Sequence, residues 1–227
     1  MLIRNRASES PSLTDRSEQL SAEEFVWDDS GSANFHQRVL PLLEKALRER
    51  GCLKVLDIGC GNGALTGELM QRGFQMVGID GSLSGIEIAR SRWPSITFEK
   101  VDICQPLPEI FRNQFDAVVS VEVIEHLLLP RQLINNAILA MRPGATLVLT
   151  TPYHGYLKNL AIAALNGFDA HWHPLRDFGH IKFFSKRTLG ILMKEYPLTE
   201  VRFATVGRIP PLAHSMVVTA RYDRTGI

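Results

Sequence analysis

The chain has 227 residues, of which 45% are hydrophobic and 22% are charged, and its formal net charge is +1. This length is within the range of one domain, and the near balance of charge argues against a nucleic-acid partner, which requires a strongly basic surface. The three cysteines have no paired spacing, so we expect reduced thiols in a cytoplasmic protein.

The N-terminal residues 1–22 are rich in Ser, Arg and acidic residues and contain no apolar run. We expect them to form a mobile arm and not a secretion signal. Residues 23–227 are predicted to form a single domain, over which the segment around Trp27 closes. No run approaches the roughly 18 apolar residues of a membrane span, so no transmembrane segment is predicted.

Helical and extended patterns alternate along most of this domain. The first helix is predicted over residues 35–49, where apolar residues recur at helical spacing. Short apolar runs then predict strands, and periodic segments between them predict helices. The strands are predicted at 53–57, 75–79, 96–101, 115–121 and 145–150, and the helices at 64–72, 83–92 and 131–141. Strands that are apolar along their whole length, alternating with helices, indicate a parallel sheet covered on both faces.

The C-terminal end breaks this alternation. Two strand-like runs, residues 198–206 and 215–222, are separated only by a loop rich in Gly and Pro. That loop is too short for a helical crossover, so the second strand should run antiparallel to the first.

The stretch VLDIGCGNGAL, residues 55–65, passes from a strand through a glycine turn into a helix. Such a turn leaves free backbone N–H groups at the helix N-terminus, and Gly59, Gly61 and Gly63 allow a ligand to approach the backbone closely. Either a dinucleotide or S-adenosylmethionine would fit, and the glycines alone do not choose between them.

Acidic residues follow four successive strands, at the sheet edge where open α/β sheets bind ligands. Asp57 would repel a pyrophosphate but favour a cationic aminoacyl group. Asp80 is placed to accept hydrogen bonds from ribose hydroxyls. Asp102 could reach an adenine amino group while Ile103 packs on the ring, and Glu122 follows the fourth strand. The set favours S-adenosylmethionine.

The segments VLDIGCGNG, GIDGS, VDI, VVSVEVIEHL and MRPGATLVLTTP, with the terminal hairpin, resemble class I S-adenosylmethionine-dependent methyltransferases. The finer resemblance is to the ubiquinone-biosynthesis O-methyltransferase group. It implies an α/β, Rossmann-like sheet of seven strands, mostly parallel with an antiparallel C-terminal hairpin, and helices on both faces. It also implies a cofactor site formed by Asp57, Gly59, Gly61, Asn62, Asp80, Gly81, Ser82, Asp102, Ile103 and Glu122.

The Glu-x-x-Glu-His element is associated with a divalent metal in that group. Carried over, the implied ligands are Glu122, Glu125 and His126. The alternative is that Glu125 simply begins the next helix, and we expect no metal.

Methyl transfer from a sulfonium requires a close, in-line and deprotonated nucleophile. His126 is the first candidate base, because imidazole titrates near neutral pH. The competing interpretation is a structural histidine that caps the following helix.

A long insertion, at about residues 152–185, carries four of the seven histidines. A connection of this length within a compact domain is usually functional. One interpretation is a metal cluster around His171 and His173. We favour a substrate cover, in which His154, His173 and His180 orient or deprotonate the acceptor.

Within the insertion, residues 156–166 predict a short helix with one apolar face. This helix could pack on the domain, form a lid for an apolar acceptor, or lie at a membrane surface. Lys158 is its one basic residue, so a lid is favoured over weak membrane contact.

These features predict an enzyme that methylates a small molecule, on a hydroxyl of an aromatic, quinone-like or lipid-like compound. A nicotinamide-dependent oxidoreductase and a non-catalytic S-adenosylmethionine-binding protein are the alternatives. N- or C-methylation, and methylation of RNA or protein, also stay open.

Overall fold

The computed structural model describes Trp27 and residues 34–172, 174–207 and 212–224. The predicted mobile arm, residues 1–22, lies outside these described residues, as does His173.

The helices and strands follow one another largely as the sequence predicts. The helices are α1 (Asn34–Glu49), α2 (Ala64–Gln71), α3 (Leu83–Arg92), α4 (Pro130–Ala140), α5 (Tyr156–Ala164), α6 (Phe168–Trp172) and α7 (Lys186–Lys194). The strands are β1 (Lys54–Ile58), β2 (Gln75–Asp80), β3 (Thr97–Lys100), β4 (Phe115–Val121), β5 (Met141–Pro152), β6 (Leu198–Val206) and β7 (Ser215–Tyr222). Short 3₁₀ turns lie at Glu109–Phe111 and Ile124–His126. None of the described helices combines the length and apolar character needed to cross a bilayer.

The seven strands form one sheet in the order β3-β2-β1-β4-β5-β7-β6. Strands β1 to β5 pair in parallel, and β7 runs antiparallel to both β5 and β6. The predicted parallel sheet with an antiparallel hairpin is confirmed. Since the strand order reverses between β1 and β4, the carboxyl ends of these strands border the crevice where such sheets bind ligands.

The core has two parts, one on each face of the sheet. Leu56 and Ile58 of β1 belong to the part that packs against α4 and α7. Val55, which points to the opposite face because strand side chains alternate, joins α1, α2 and α3. This burial of both faces explains why the strands read as continuous apolar runs.

Strand β5 is longer than the sequence predicts, because it starts at Met141 and ends at Pro152. Pro143 and Gly144 suggest a turn, yet the strand passes through them with Gly144 at φ 83°. The pairing with β4 shifts register between Phe115 and Ala117 to accommodate this irregularity.

Candidate cofactor and acceptor site

The glycine turn after β1 needs glycine at each of its three positions. Gly59, Gly61 and Gly63 have φ values of 82°, 52° and 71°, in the left-handed region that other residues rarely adopt. A Cβ atom on Gly61 would lie 2.3 Å from Trp27 Cζ2, and one on Gly59 would lie 2.3 Å from Val123 Cγ2. The Trp27 ring therefore lies directly on the turn.

The sequence predicts free backbone N–H groups at this turn, but several of them donate hydrogen bonds within the protein. The N–H groups of Gly59 and Cys60 donate to the Ile79 carbonyl at 2.8 and 3.1 Å. The Gly61 N–H donates to Asp80 Oδ2 at 2.8 Å. The end of β2 thus holds the turn in place, and the free donors that the sequence predicts are occupied by protein acceptors.

Asp57, at the end of β1, is almost completely buried, with 1% of its surface exposed. Its Oδ2 accepts a hydrogen bond of 2.6 Å from the Thr66 hydroxyl, which lies in α2. Burial raises the pKa of Asp57 to about 7, and the nearby Asp80 adds to this rise, whereas the Thr66 hydrogen bond opposes it. The structure thus holds a carboxylate whose charge a cationic ligand group would stabilise.

Asp80 lies beside Asp57 and organises two turns at once. Besides Gly61, its Oδ1 accepts a hydrogen bond of 2.8 Å from the Ser82 N–H. The Ser82 hydroxyl in turn accepts from the Gly85 N–H at 3.2 Å and so caps α3. Gly81 stands in open space, since a Cβ there would meet no atom closer than 4.0 Å.

Asn62 is buried within the glycine turn. Its Oδ1 accepts a hydrogen bond of 3.2 Å from the Ala64 N–H, which satisfies one of the donors at the start of α2. The structure therefore gives Asn62 a turn-forming contact at the place where the resemblance implies a cofactor contact.

Asp102 and Ile103 lie just past the end of β3. The Asp102 carboxylate is exposed and its Oδ1 accepts a hydrogen bond of 2.9 Å from the Cys104 N–H, whereas Ile103 is buried. The following loop is held by Asn136, a fully buried residue of α4 that donates to the carbonyl of Ile103 at 3.0 Å. Sequence reasoning missed Asn136, although an amide within an otherwise apolar helix face was a usable signal.

Glu122 follows β4 with an unusual backbone, at φ 55°. Its Oε1 accepts a hydrogen bond of 2.9 Å from the Thr150 hydroxyl, and its Oε2 accepts one of 3.3 Å from the Ser215 hydroxyl. Burial raises the pKa of Glu122 to about 7, although these two hydrogen bonds and the positive charge of Lys158 oppose the rise. The carboxylate lies over the ends of β5 and β7.

Glu125 is fully buried one turn further along. Its Oε2 accepts a hydrogen bond of 2.9 Å from the Thr151 hydroxyl, while its Oε1 makes no hydrogen bond. A buried carboxylate oxygen without a partner costs about 1–3 kcal/mol or more. Burial, together with the Glu122 charge, raises the pKa of Glu125 well above its usual range.

His126 and His180 lie beside this carboxyl group. The two imidazole rings meet edge to face at 4.8 Å, and His180 Nε2 lies 3.9 Å from Glu125 Oε1. Desolvation lowers the pKa of both histidines, that of His180 to about 4, so both rings are neutral at pH 7. Sequence reasoning named both histidines separately but had no means to bring His180 to the Glu-x-x-Glu-His element.

His154, just after β5, is enclosed by aromatic rings. Its ring lies 4.8 Å from that of Trp172 and 5.2 Å from that of Phe183. Neither ring nitrogen makes a hydrogen bond of normal geometry. Burial, reinforced by nearby positive charge, lowers the pKa of His154 to about 4, and the adjacent Asn159 amide offsets this only partly. His154 is therefore neutral at pH 7.

The threonines that hold the two glutamates were also missed. Thr150 and Thr151 are both fully buried at the end of β5, directly after the apolar run LVL. Two consecutive hydroxyl side chains at the buried end of a parallel strand were the signal, because buried hydroxyls need partners.

A family model described as a methyltransferase domain matches residues 29–201. The chain belongs to this methyltransferase family. With its strand order and hairpin, it is a class I S-adenosylmethionine-dependent methyltransferase, and this assignment replaces the nicotinamide-dependent alternative.

Individual relatives agree with the family assignment. The chain is 29% identical over 173 residues to a ubiquinone biosynthesis O-methyltransferase of Bradyrhizobium diazoefficiens, covering 69% of this chain and 67% of that protein. A protein of the same name from Hahella chejuensis is 30% identical over 132 residues, covering 55% of each chain. The aligned part thus spans between about half and two thirds of these relatives.

Solved structures share the fold. The PH0226 protein of Pyrococcus horikoshii superposes with a TM-score of 0.66 at 19% identity, over 90% of this chain and 99% of that one. The methyltransferase domain of a bacterial Hen1 protein gives a TM-score of 0.63 at 21% identity, over 83% of this chain and 100% of that one. At these identities the likeness concerns the fold alone.

Proposed function

We propose that this methyltransferase transfers the methyl group of S-adenosylmethionine to a hydroxyl of a small aromatic, quinone-like or lipid-like molecule. The observation that carries the choice of acceptor is the enclosure of His154 by Trp172 and Phe183. It combines aromatic walls, suited to a flat apolar molecule, with a neutral imidazole suited to a hydroxyl. The names of the relatives support the same acceptor class.

On this proposal each acid of the crevice contacts a different part of the cofactor. The aminoacyl ammonium of S-adenosylmethionine lies near Asp57, where it compensates the buried carboxylate. The ribose hydroxyls bond to Asp80, whose carboxylate faces the glycine turn. Asp102 and Ile103 receive the adenine, the acid at its amino group and the apolar side chain at its face.

Methyl transfer requires few catalytic groups from the protein. The acceptor oxygen attacks the methyl carbon as the bond from carbon to sulfur breaks, so positioning and loss of the hydroxyl proton are the main requirements. A neutral His154 can accept the hydrogen bond of the acceptor hydroxyl and orient it. His126 and His180 remain the other candidates for this role, with His173 outside the described residues.

The insertion supplies the cover of the acceptor site on this proposal. None of the described residues of α5 is buried, and Leu157 and Leu160 are half exposed. An exposed apolar helix at the edge of the crevice is suited to close over an apolar acceptor, and a membrane surface is the competing contact.

Calorimetric titration tests the cofactor first. The full chain is titrated with S-adenosylmethionine, with S-adenosylhomocysteine and with NAD, with and without Mg²⁺. We expect micromolar binding of both sulfur ligands and none of NAD. Asp80→Ala should weaken binding at least about tenfold, because the ribose contacts and the anchor of the Gly61 N–H are lost together. Glu99→Ala, which removes only an exposed ion pair with Arg90, is the control and should bind normally.

An assay with methyl-labelled S-adenosylmethionine then tests the acceptor, using catechols, hydroquinones and hydroxylated lipids. We expect a labelled methyl ether from at least one class. Labelled products bearing the methyl group on carbon or nitrogen would contradict the hydroxyl acceptor. Tight cofactor binding with no turnover over all acceptors would favour the non-catalytic alternative.

A further inference from the structure

The helix α5 begins just after His154 and carries its one basic residue, Lys158, in its first turn. The N-cap residue, Gly155, has no side chain that could accept hydrogen bonds from the first N–H groups of the helix, which have no intrahelical partner. The positive end of the helix dipole and an ammonium group thus lie together. A cation in the first turn destabilises a helix, so this arrangement favours a negatively charged ligand.

Lys158 extends from the insertion to the edge of the sheet where the acceptor is proposed to bind. Its Nζ donates to the His214 carbonyl at 3.4 Å, which is long for a hydrogen bond. His214 directly precedes β7, whose first residue, Ser215, donates to Glu122. The ammonium therefore lies beside the end of β5 and the start of β7, and its charge acts on both Glu122 and His154.

Buried polar atoms without partners lie next to this ammonium in the chain. His154 is 7% exposed, and neither of its ring nitrogens makes a hydrogen bond of normal geometry. The side-chain oxygen of Asn159, the residue after Lys158, is also buried without a hydrogen bond. Because buried polar atoms normally have partners, these three atoms indicate that a polar ligand binds here. The rings of Trp172 and Phe183 against His154 favour an aromatic one.

His154 by itself is a poor base for a phenolic hydroxyl. Burial, together with the positive charge of Lys158, lowers the pKa of its imidazole to about 4, whereas a phenol such as the tyrosine side chain has a pKa of about 10. A nearby cation has the opposite effect on a phenol, since it stabilises the ionised form. The ammonium that weakens His154 as a base therefore favours an acceptor that has already lost its proton.

We propose that the start of α5 is an oxyanion subsite, in which Lys158 and the first N–H groups of the helix bind the acceptor oxygen as a phenolate. This inference rests on the proposed transfer to an aromatic hydroxyl. The hydroxyl releases its proton to solvent, and the oxygen then bonds to the methyl carbon while the electron pair of the broken carbon–sulfur bond stays on sulfur. The negative charge on oxygen and the positive charge on sulfur disappear together, leaving a methyl ether and S-adenosylhomocysteine.

The ionisable groups on which the charge of Lys158 acts are Glu122, His154 and His180. Both histidines are neutral at pH 7, because their pKa values are lowered to about 4. Glu122 competes with the oxyanion for the ammonium. Both of its oxygens accept hydrogen bonds from hydroxyl groups of β5 and β7, and these donors reduce the competition. A phenolate is also a stronger hydrogen-bond acceptor than the carbonyl of His214.

Binding of 4-nitrophenol tests the subsite without turnover, because this phenol is yellow only when it is ionised. The full chain is saturated with S-adenosylhomocysteine at pH 6, where the free probe is mostly neutral. We expect the ratio of ionised to neutral probe to rise about tenfold or more on binding, as for an acid beside a cation. Lys158→Gln should abolish this rise and Lys158→Arg should retain it. Lys194→Gln, which removes an exposed charge at the end of α7, is the control and should retain it.

Turnover then distinguishes oxyanion binding from a structural role of Lys158 in holding α5. The comparison uses a phenolic acceptor from the labelling assay and its more acidic nitro-substituted analogue. In Lys158→Gln, kcat/KM should fall at least about tenfold for the parent phenol and less for the analogue, which ionises without help.

An equal fall for both acceptors would assign Lys158 to the position of α5 and overturn the inference. Equal binding of ionised 4-nitrophenol by Lys158→Gln, or no ionised probe on the unaltered chain, would also overturn it. Ionised probe that depends on Lys158, without methylation of any hydroxyl, would contradict the proposed function and still support the oxyanion subsite.

Discussion

Asp57 is an acid that the fold buries almost completely at the end of β1. Its Oδ2 accepts a hydrogen bond from the Thr66 hydroxyl, and burial raises its pKa to about 7. A group with this property destabilises the folded chain once it is ionised, unless a ligand compensates the charge. Asp57 therefore lowers the stability of the ligand-free folded chain and favours the binding of a cationic group.

The pH dependence of stability follows from this pKa, with Asp57→Asn as the comparison. Between pH 4 and pH 7 the folded chain retains a proton that the unfolded chain has released, so the free energy of unfolding falls as the pH rises through this window. Above about pH 7 this contribution stops changing. Urea unfolding gives the free energy of unfolding of the unaltered chain and of Asp57→Asn at pH 5 and pH 8. We expect the value of the unaltered chain minus that of Asp57→Asn to be about 3 kcal/mol lower at pH 8 than at pH 5. Saturating S-adenosylhomocysteine should reduce the change, and a constant difference would contradict the raised pKa.

At the scale of single elements, the glycine turn packs closely against its neighbours. Val123 occupies the space beside Gly59, and the Trp27 ring occupies the space beside Gly61. Asp80 fixes the backbone between them. These contacts hold the turn in its conformation without a ligand, and such preorganisation lowers the entropy cost of binding.

Gly61→Ala tests this fit, with Gly51→Ala as the matched control. Both positions have left-handed backbones, at φ 52° and 63°, but a Cβ at Gly51 meets no atom within 4 Å. Gly51→Ala should therefore cost about 1–2 kcal/mol of backbone strain alone. Gly61→Ala should cost more, since its methyl group collides with Trp27, and it should shift the tryptophan emission to the red. Equal costs in urea unfolding would contradict the packing of Trp27 on the turn.

At the scale of the whole molecule, buried polar side chains connect segments that are distant in the chain. Asn136 of α4 donates to the carbonyls of Ile103 and Gln105 and accepts from the Leu107 N–H. It thereby shapes the loop after β3, where the adenine is proposed to bind. Thr150 and Thr151 play the corresponding part for Glu122 and Glu125.

Replacing Asn136 by Leu should therefore destabilise the fold and weaken the binding of the cofactor. Three backbone groups would lose a buried partner, and we expect a loss of about 3 kcal/mol or more in the free energy of unfolding. Gln132→Leu is the control, because it removes an amide that donates to Asn136 Oδ1 at 3.1 Å but leaves Asn136 itself in place. A cost for Asn136→Leu no larger than that of Gln132→Leu would contradict the role of Asn136.

The sequence by itself determined most of the secondary structure, the parallel sheet and the antiparallel hairpin. It did so because both faces of the sheet are buried, so that the strands are apolar throughout, and because a short loop allows no crossover. The positions of the strand-end acids also followed, since the carboxyl ends of parallel strands meet at one edge. The length of β5 did not follow, because Pro143 and Gly144 resemble a turn, and the strand begins before them only because Met141 pairs with Phe115 of β4.

Only the tertiary structure decided how the side chains meet at that edge. The sequence places Glu122 with Glu125 and His126 because they are neighbours in the chain. The fold turns Glu122 toward Thr150 and Ser215 and brings His180 to Glu125. The physical reason is that each buried carboxylate must find hydrogen-bond donors or ligands, and the available donors come from β5, β7 and the insertion, whose distance along the chain carries no information about their distance in space.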